Sequence, residues 1–307
     1  MSVASSPKAR RRWAGFSGRT LVVAVPMLWL LVFFLVPFIV LGRISLSEAM
    51  IARPPYSPLW EYGPDGNLEI IASLENYRFL LSDSLYVNAY LSSIRIALVS
   101  TVFALLVGYP MAYYIARSAE PRRSVLLLLV ILPFWTSFLL RVYAWMGFLR
   151  RDGVINNLLL NLGVIEEPLV MMQTDFAVYI GIVYTYLPFM ILPLYANLVK
   201  LDGALLEAAS DLGASPLVTF FTVTLPLSLP GIIAGSMLVF IPAIGEYVIP
   251  ALLGGPDTLM IGRVLWDEFF SSRDWPVASA VAIVMLVLVV APTMWLQAVQ
   301  NKREAAE

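Results

Sequence analysis

The placement of charged residues constrains this chain more than any other feature, because it leaves runs too long and too apolar for a soluble fold. No Asp, Glu, Lys or Arg lies between Arg19 and Arg43, between Arg95 and Arg117, or between Asp175 and Lys200. The stretch 124–149 is interrupted once, by Arg141. Charge-free sequence also fills 212–245 and 275–301, although Pro216, Pro226 and Pro230 cut the first half of the former. A helix needs about 20 apolar residues to cross about 30 Å of hydrocarbon. Composition agrees. Hydrophobic residues are 60% of the chain and charged residues 13%, against about 45–50% and about 25% in a soluble domain. A core within 307 residues cannot absorb that excess, so it faces lipid.

The pattern predicts an all-α integral membrane protein with six transmembrane helices at 20–42, 88–116, 124–149, 176–199, 229–252 and 276–299. The first is too long for the apolar core of a signal peptide and is followed by no small-residue cleavage site, so it reads as a retained anchor. Basic residues set the orientation. Lys8, Arg10, Arg11, Arg12 and Arg19 precede the first span. Arg117, Arg122 and Arg123 follow the second, Lys200 the fourth, and Lys302 and Arg303 the sixth. By the positive-inside bias the tails 1–19 and 300–307 are cytoplasmic, as is the loop 200–228. The segments 43–87, 150–175 and 253–275 then lie outside, and the first carries six acids: Glu48, Glu61, Asp65, Glu69, Glu75 and Asp83.

Cys and His are both absent. That removes disulfides, thiolate nucleophiles, Cys/His metal sites and His acid–base catalysis. No catalytic constellation is legible, and 20 Lys and Arg against 21 Asp and Glu supply no basic field for nucleic acid.

The 200–228 segment is polar at its start and punctuated as two short helices. Asp202 can cap the first, Gly213 can stop it, and Ser215-Pro216 supplies an N-cap followed by proline at the first helical position. Glu207 and Asp211, like charges at i,i+4, weaken an isolated helix of about ten residues that is marginal already. Lipid-surface helices favour Lys and Arg on their polar face, so this acidic one suits docking to another protein.

Here the chain resembles a family. Glu207-Ala208-Ala209, Gly213 and Leu225-Pro226 are similar to the EAA signature of ABC-importer permeases, with Val223 where the family usually has Ile. The segments SLENYRFLLSDSLYVNAYLSSIRIALVST, LVILPFWTSFLLRVYAWMGFLRRDGVINNLL and FIPAIGEYVIPALLGGPDTLMIGRVLWDEFF resemble the polyamine branch, especially its putrescine-type permease subunits. The resemblance covers about 20–300. It implies a MetI-like permease fold in a bacterial inner membrane, with the EAA loop as a coupling helix. It also implies a second permease subunit as heterodimer partner, two copies of a cytoplasmic ATPase, and a periplasmic binding protein that delivers putrescine or spermidine. ATP and Mg would be bound by the ATPase, and this chain would bind no cofactor. Consistently, a P-loop needs a Gly-Lys pair, and none of the three lysines, Lys8, Lys200 and Lys302, follows Gly.

Ionisable residues inside spans default to functional candidates. Arg95, Arg141 and Glu246 are these, all toward the outer ends of their helices. Glu246 could form an ion pair with Arg95 or Arg141, or line the path and meet an alkylammonium. It sits in Pro242-Ala-Ile-Gly245-Glu246-Tyr247-Val-Ile-Pro250, where Pro250 frees the carbonyl of Glu246. Aromatic faces attract ammonium groups, and Trp135, Tyr143, Tyr184 and Tyr247 are candidates by depth, with Trp145 and Tyr186 beside them. An alternative is a stand-alone, ion-coupled secondary transporter of a small organic cation. That design calls for internal repeats and intramembrane coupling acids; no repeat is visible, and Glu246 is the only acid within a span.

Overall fold

The structure, a computed structural model, describes residues 18–62 and 67–304. Of the tail expected at 1–19 only residues 18 and 19 fall within it, and the last three residues of 300–307 fall outside.

The chain opens with α1 (Val22–Ser45). Residues 22–37 are all exposed, and only its C-terminal end, at Ile44 and Ser45, is buried. A surface segment follows. Its hairpin pairs β1 (Trp60–Tyr62) with β2 (Leu68–Ile70) antiparallel, setting Glu61 opposite Glu69. The short α2 (Glu75–Ser82) leads into α3 (Ser84–Arg117), whose first turn is capped by Asp83.

Helices α4 (Arg122–Ile131) and α5 (Phe138–Leu149) are where one span was expected at 124–149. The stretch is not one rod. A 3₁₀ turn at Leu132–Trp135 and two extended residues, Thr136 and Ser137, separate the helices. The two halves, Arg122–Trp135 and Phe138–Asn161, meet at 92°. Pro133 lacks the N–H that would bond the carbonyl of Leu129, and both the N–H and hydroxyl of Thr136 fold back onto the Pro133 carbonyl.

After α6 (Val154–Asn161), α7 (Asp175–Leu198) starts at a Thr174 cap. The short α8 (Gly203–Asp211) and α9 (Pro216–Leu227) precede α10 (Leu229–Ile244), with a 65° bend between the last two. The helix expected at 229–252 is also interrupted. Gly245, Glu246 and Tyr247 lie outside helix, and α11 (Val248–Leu253) resumes after them. Beyond it come α12 (Ile261–Trp266), a π-helical stretch at Asp267–Ser272, and α13 (Trp275–Glu304). Among the described residues, four helices are long and apolar enough to cross a membrane alone, α1, α3, α7 and α13; counting each bent pair as one span brings the number to six.

Helices α3, α7 and α10 pack on one another to form the centre. In lipid, helices associate through close packing at small residues. Ala97, Ala104 and Ala112 of α3 are fully buried, and Gly235 of α10 lies so near α7 that a Cβ there would be 3.0 Å from the Met190 carbonyl oxygen. One core cluster gathers round the Glu246 break, with Ile182, Ile244, Ile249, Leu253 and Met260; the other surrounds Met190, Ile191 and Leu194. α1 stays peripheral and meets α13 through its C-terminal end.

Candidate functional site: a carboxylate in a broken span

The Gly245–Tyr247 break places the Glu246 side chain, 9% exposed, between α7 and α11. The Tyr186 hydroxyl donates to its Oε2 at 2.5 Å. The backbone N–H groups of Val248 and Ile249 donate to Oε1 at 3.1 and 3.4 Å. Glu246 therefore caps the N-terminus of α11, where unpaired N–H groups favour an anion. A desolvated carboxylate is tolerable only when hydrogen-bonded, and here both oxygens are engaged.

Of the two alternatives for Glu246, the ion pair with Arg95 or Arg141 is not formed among the described residues. Arg95 instead bonds Asp175 Oδ2 at 2.8 Å, and Thr258 donates to Oδ1 of the same carboxylate at 2.7 Å. These contacts tie α3, the start of α7 and the 254–260 loop together. Arg141 has no hydrogen-bond partner for Nε or Nη1 among the described residues, although both atoms are buried. Its guanidinium lies over the rings of Phe134 and Phe138, 5.6 and 6.0 Å from their centroids. The reason is geometric: Asp175 stands at a helix start that faces Arg95, and the bend at Thr136–Ser137 turns α5 so that Arg141 meets aromatic faces.

The aromatic candidates separate. Tyr247 is half-buried and stacks on Trp266, with centroids 4.5 Å apart and planes at 14°. Tyr184 packs edge-on against Trp145. Trp135 and Tyr143 are exposed near the α4–α5 bend. None of these four donates to the Glu246 carboxylate; Tyr186 does. The sequence offered Tyr186 as a candidate by depth without pairing it to Glu246, and it gave no role to Trp266, Ser93 or Asp175. Ser93 is fully buried and accepts the N–H of Ile261 at 2.7 Å, pinning the start of α12.

Gly262 seats α12 on the break. A Cβ there would lie 2.4 Å from the carbonyl oxygen of Gly245 and 2.7 Å from that of Glu246, the carbonyl that Pro250 leaves free. Both neighbours are backbone, so Gly262→Ala should overpack the joint at a cost of about 1–3 kcal/mol. The Tm of the purified protein checks this; an unchanged Tm would show that α12 is free to shift.

At the opposite end, α8 carries Glu207 and Ala208 exposed and Ala209 half-buried, and none of its residues is buried. Asp202 accepts the N–H of Ala204 at the helix start. The stop is a Schellman turn: Ala214 N–H reaches the Ala209 carbonyl, Gly213 N–H reaches that of Ser210, and Gly213 has φ +79°. Ser215 then caps α9. Leu212, 88% exposed, and Leu217 stand outward here. Leu225 is half-buried and Pro226 exposed on α9.

Residues 1–305 match the family described as "Binding-protein-dependent transport system inner membrane component". The chain is 40% identical over 270 residues to the spermidine/putrescine transport system permease protein PotB of Haemophilus influenzae, covering 87% of this chain and 89% of that one. It is 45% identical over 221 residues to PotB of Escherichia coli, covering 72% and 80%. Among solved structures it resembles a bacterial alginate ABC transporter in complex with alginate pentasaccharide-bound periplasmic protein. The TM-score is 0.69 at 17% identity, with 93% of this chain and 96% of that chain covered. That likeness concerns the fold alone.

Proposed function

Because the chain belongs to the family of binding-protein-dependent transport system inner membrane components, and is thus a permease subunit of an ABC importer rather than an enzyme, we propose that its cargo is a polyamine, putrescine and/or spermidine. The observation that carries this is the 40–45% identity to two spermidine/putrescine permeases over most of the chain. The break at Glu246 supplies fitting chemistry, a buried carboxylate beside Tyr186 and Tyr247.

In this proposal a second permease subunit completes the path, and a periplasmic binding protein presents the polyamine to the outer segments. Two copies of a cytoplasmic ATPase bind ATP and Mg. The α8–α9 turn, with Glu207, Ala208, Ala209, Gly213, Leu225 and Pro226, is the coupling element. Its exposed apolar residues and unburied short helix support that role, since a helix of this length needs docking for stability. The protein sits in a bacterial inner membrane with both termini in the cytoplasm.

Reconstitution of the four-component complex in liposomes tests the proposal. Polyamine uptake should require both loaded binding protein and ATP. Uptake by this chain alone, driven by an ion gradient, would favour a secondary transporter. Orientation is tested separately, and cleanly, because the chain has no Cys. Asn67 is exposed beside β2 and suits a single-Cys probe. Asn67→Cys should label with an impermeant maleimide in intact spheroplasts; labelling only after lysis would invert the topology.

A further inference from the structure

The Tyr247–Trp266 stack continues through the π-helical stretch after α12 as an aromatic row. Trp266 lies between Tyr247, stacked at 4.5 Å, and Phe270, whose centroid is 4.1 Å away at 37°. The row grades in exposure. Tyr247 is half-buried next to the buried Glu246, Trp266 is 41% exposed and Phe270 55%. It is also held in register with the break. Gly262 leaves no room between α12 and the carbonyls of Gly245 and Glu246, and Ser93 anchors the Ile261 N–H.

The acids beside it are not equivalent. Glu268 receives the Tyr86 hydroxyl at 2.8 Å, and Asp274 caps α13 through the Val277 N–H at 3.0 Å. Asp267, next to Trp266 and exposed, has no hydrogen-bond or ion-pair partner among the described residues. Phe270 also borders a hollow whose lining includes Arg53, Arg273, Phe269 and Trp275, and its two guanidinium groups repel a cation that would go deeper. The Trp266 ring is therefore a better resting point for a cation than the hollow, and the exposed Asp267 carboxylate follows it by one residue. Indole is the strongest ring for a cation, and a π-helical turn interrupting ordinary helix often marks a functional site.

We propose that Trp266, Phe270 and Asp267 form an outer subsite for the leading alkylammonium group of the substrate, and that Tyr247 passes it from there to Glu246. This rests on the polyamine reading and names a second point of contact within it. A diamine has two positive charges, so one can remain on Trp266 and Asp267 while the other advances. The rigid seat of α12 pre-organises the row, which lowers the ordering cost of binding.

The test uses the full complex in liposomes with saturating putrescine-loaded binding protein, reading initial uptake, complex yield and basal ATPase activity. Trp266→Leu keeps apolar bulk but removes the π face. It should lower uptake about three- to thirtyfold at normal yield and basal ATPase activity. Trp266→Tyr should restore most of the uptake, because a phenol face still attracts a cation. Asp267→Asn should lower uptake in the same sense, and Asp267→Glu should restore it. If Trp266→Leu reduces yield, Phe270→Leu at the exposed end carries the test, with a fall in uptake expected at normal yield. Unchanged uptake in Phe270→Leu and Asp267→Asn at normal yield would overturn the subsite while leaving the polyamine reading standing. A loss in Trp266→Leu that Tyr does not repair would assign Trp266 to packing and overturn it equally. No putrescine or spermidine uptake by the unmodified complex would overturn the polyamine reading itself.

Discussion

Glu246→Gln should lower polyamine uptake about ten- to a hundredfold, about 1.4–2.8 kcal/mol in transport rate, with the yield of assembled complex unchanged. Desolvating an ammonium group costs several kcal/mol even after relaxation, and Glu246 is the carboxylate placed to offset it at the broken span. Glutamine preserves the local structure. Its carbonyl can accept from the N–H groups of Val248 and Ile249, and its amide can donate to the Tyr186 oxygen. No Arg pairs with Glu246 among the described residues, so neutralising it strands no partner charge. Glu246→Ala differs. It leaves the Tyr186 hydroxyl and two N–H groups unpaired, at about 1–3 kcal/mol each, so yield should fall as well as uptake. Normal uptake at normal yield in Glu246→Gln would remove this residue from the path and leave aromatic faces to carry the cation.

Gly213→Val should sever the coupling turn, cutting the ATPase that co-purifies by about fivefold or more and abolishing most uptake. Gly213 has φ +79°, where a β-branched residue is a genuine outlier and the strain costs about 1–3 kcal/mol. α8 has no buried residue of its own to offset that cost. The control is Gly213→Asn, since Asn tolerates left-handed backbone, and it should retain most co-purification. Glu207→Lys reverses the exposed charge on the same helix and should also weaken docking. Full co-purification and uptake in both Gly213→Val and Glu207→Lys would sink the coupling assignment.

The α8–α9 turn was readable from its letters because caps are local. Asp202, Gly213 and Ser215-Pro216 each act on backbone within a few residues, and each does so here. Membrane-length helices were readable because charge-free runs have few other physical uses. Which proline breaks a helix was not readable. Pro110 sits inside an unbroken α3, and Pro188 and Pro193 inside an unbroken α7, whereas the segment containing Pro133 bends by 92°. The difference lies in where freed carbonyls and nearby hydroxyls find partners, which depends on neighbours far away in sequence. The same holds for charges. Arg95 finds Asp175, 80 residues on, and Glu246 finds Tyr186, 60 residues back. Depth narrowed the choice of partners, but only packing selected among them.

The peripheral first helix has a consequence for how much information its sequence carries. From residue 22 to residue 37 no side chain is buried, so in lipid each position demands solubility in hydrocarbon and little else. Permuting its Val, Leu and Phe residues should be nearly silent for this chain's fold. The same permutation in Asp175–Leu198, where Val178, Ile182, Met190, Ile191 and Leu194 are each at most 1% exposed, would scramble a unique interlock. Two membrane-length stretches of 24 residues each thus follow different rules: one is written in composition, the other in order.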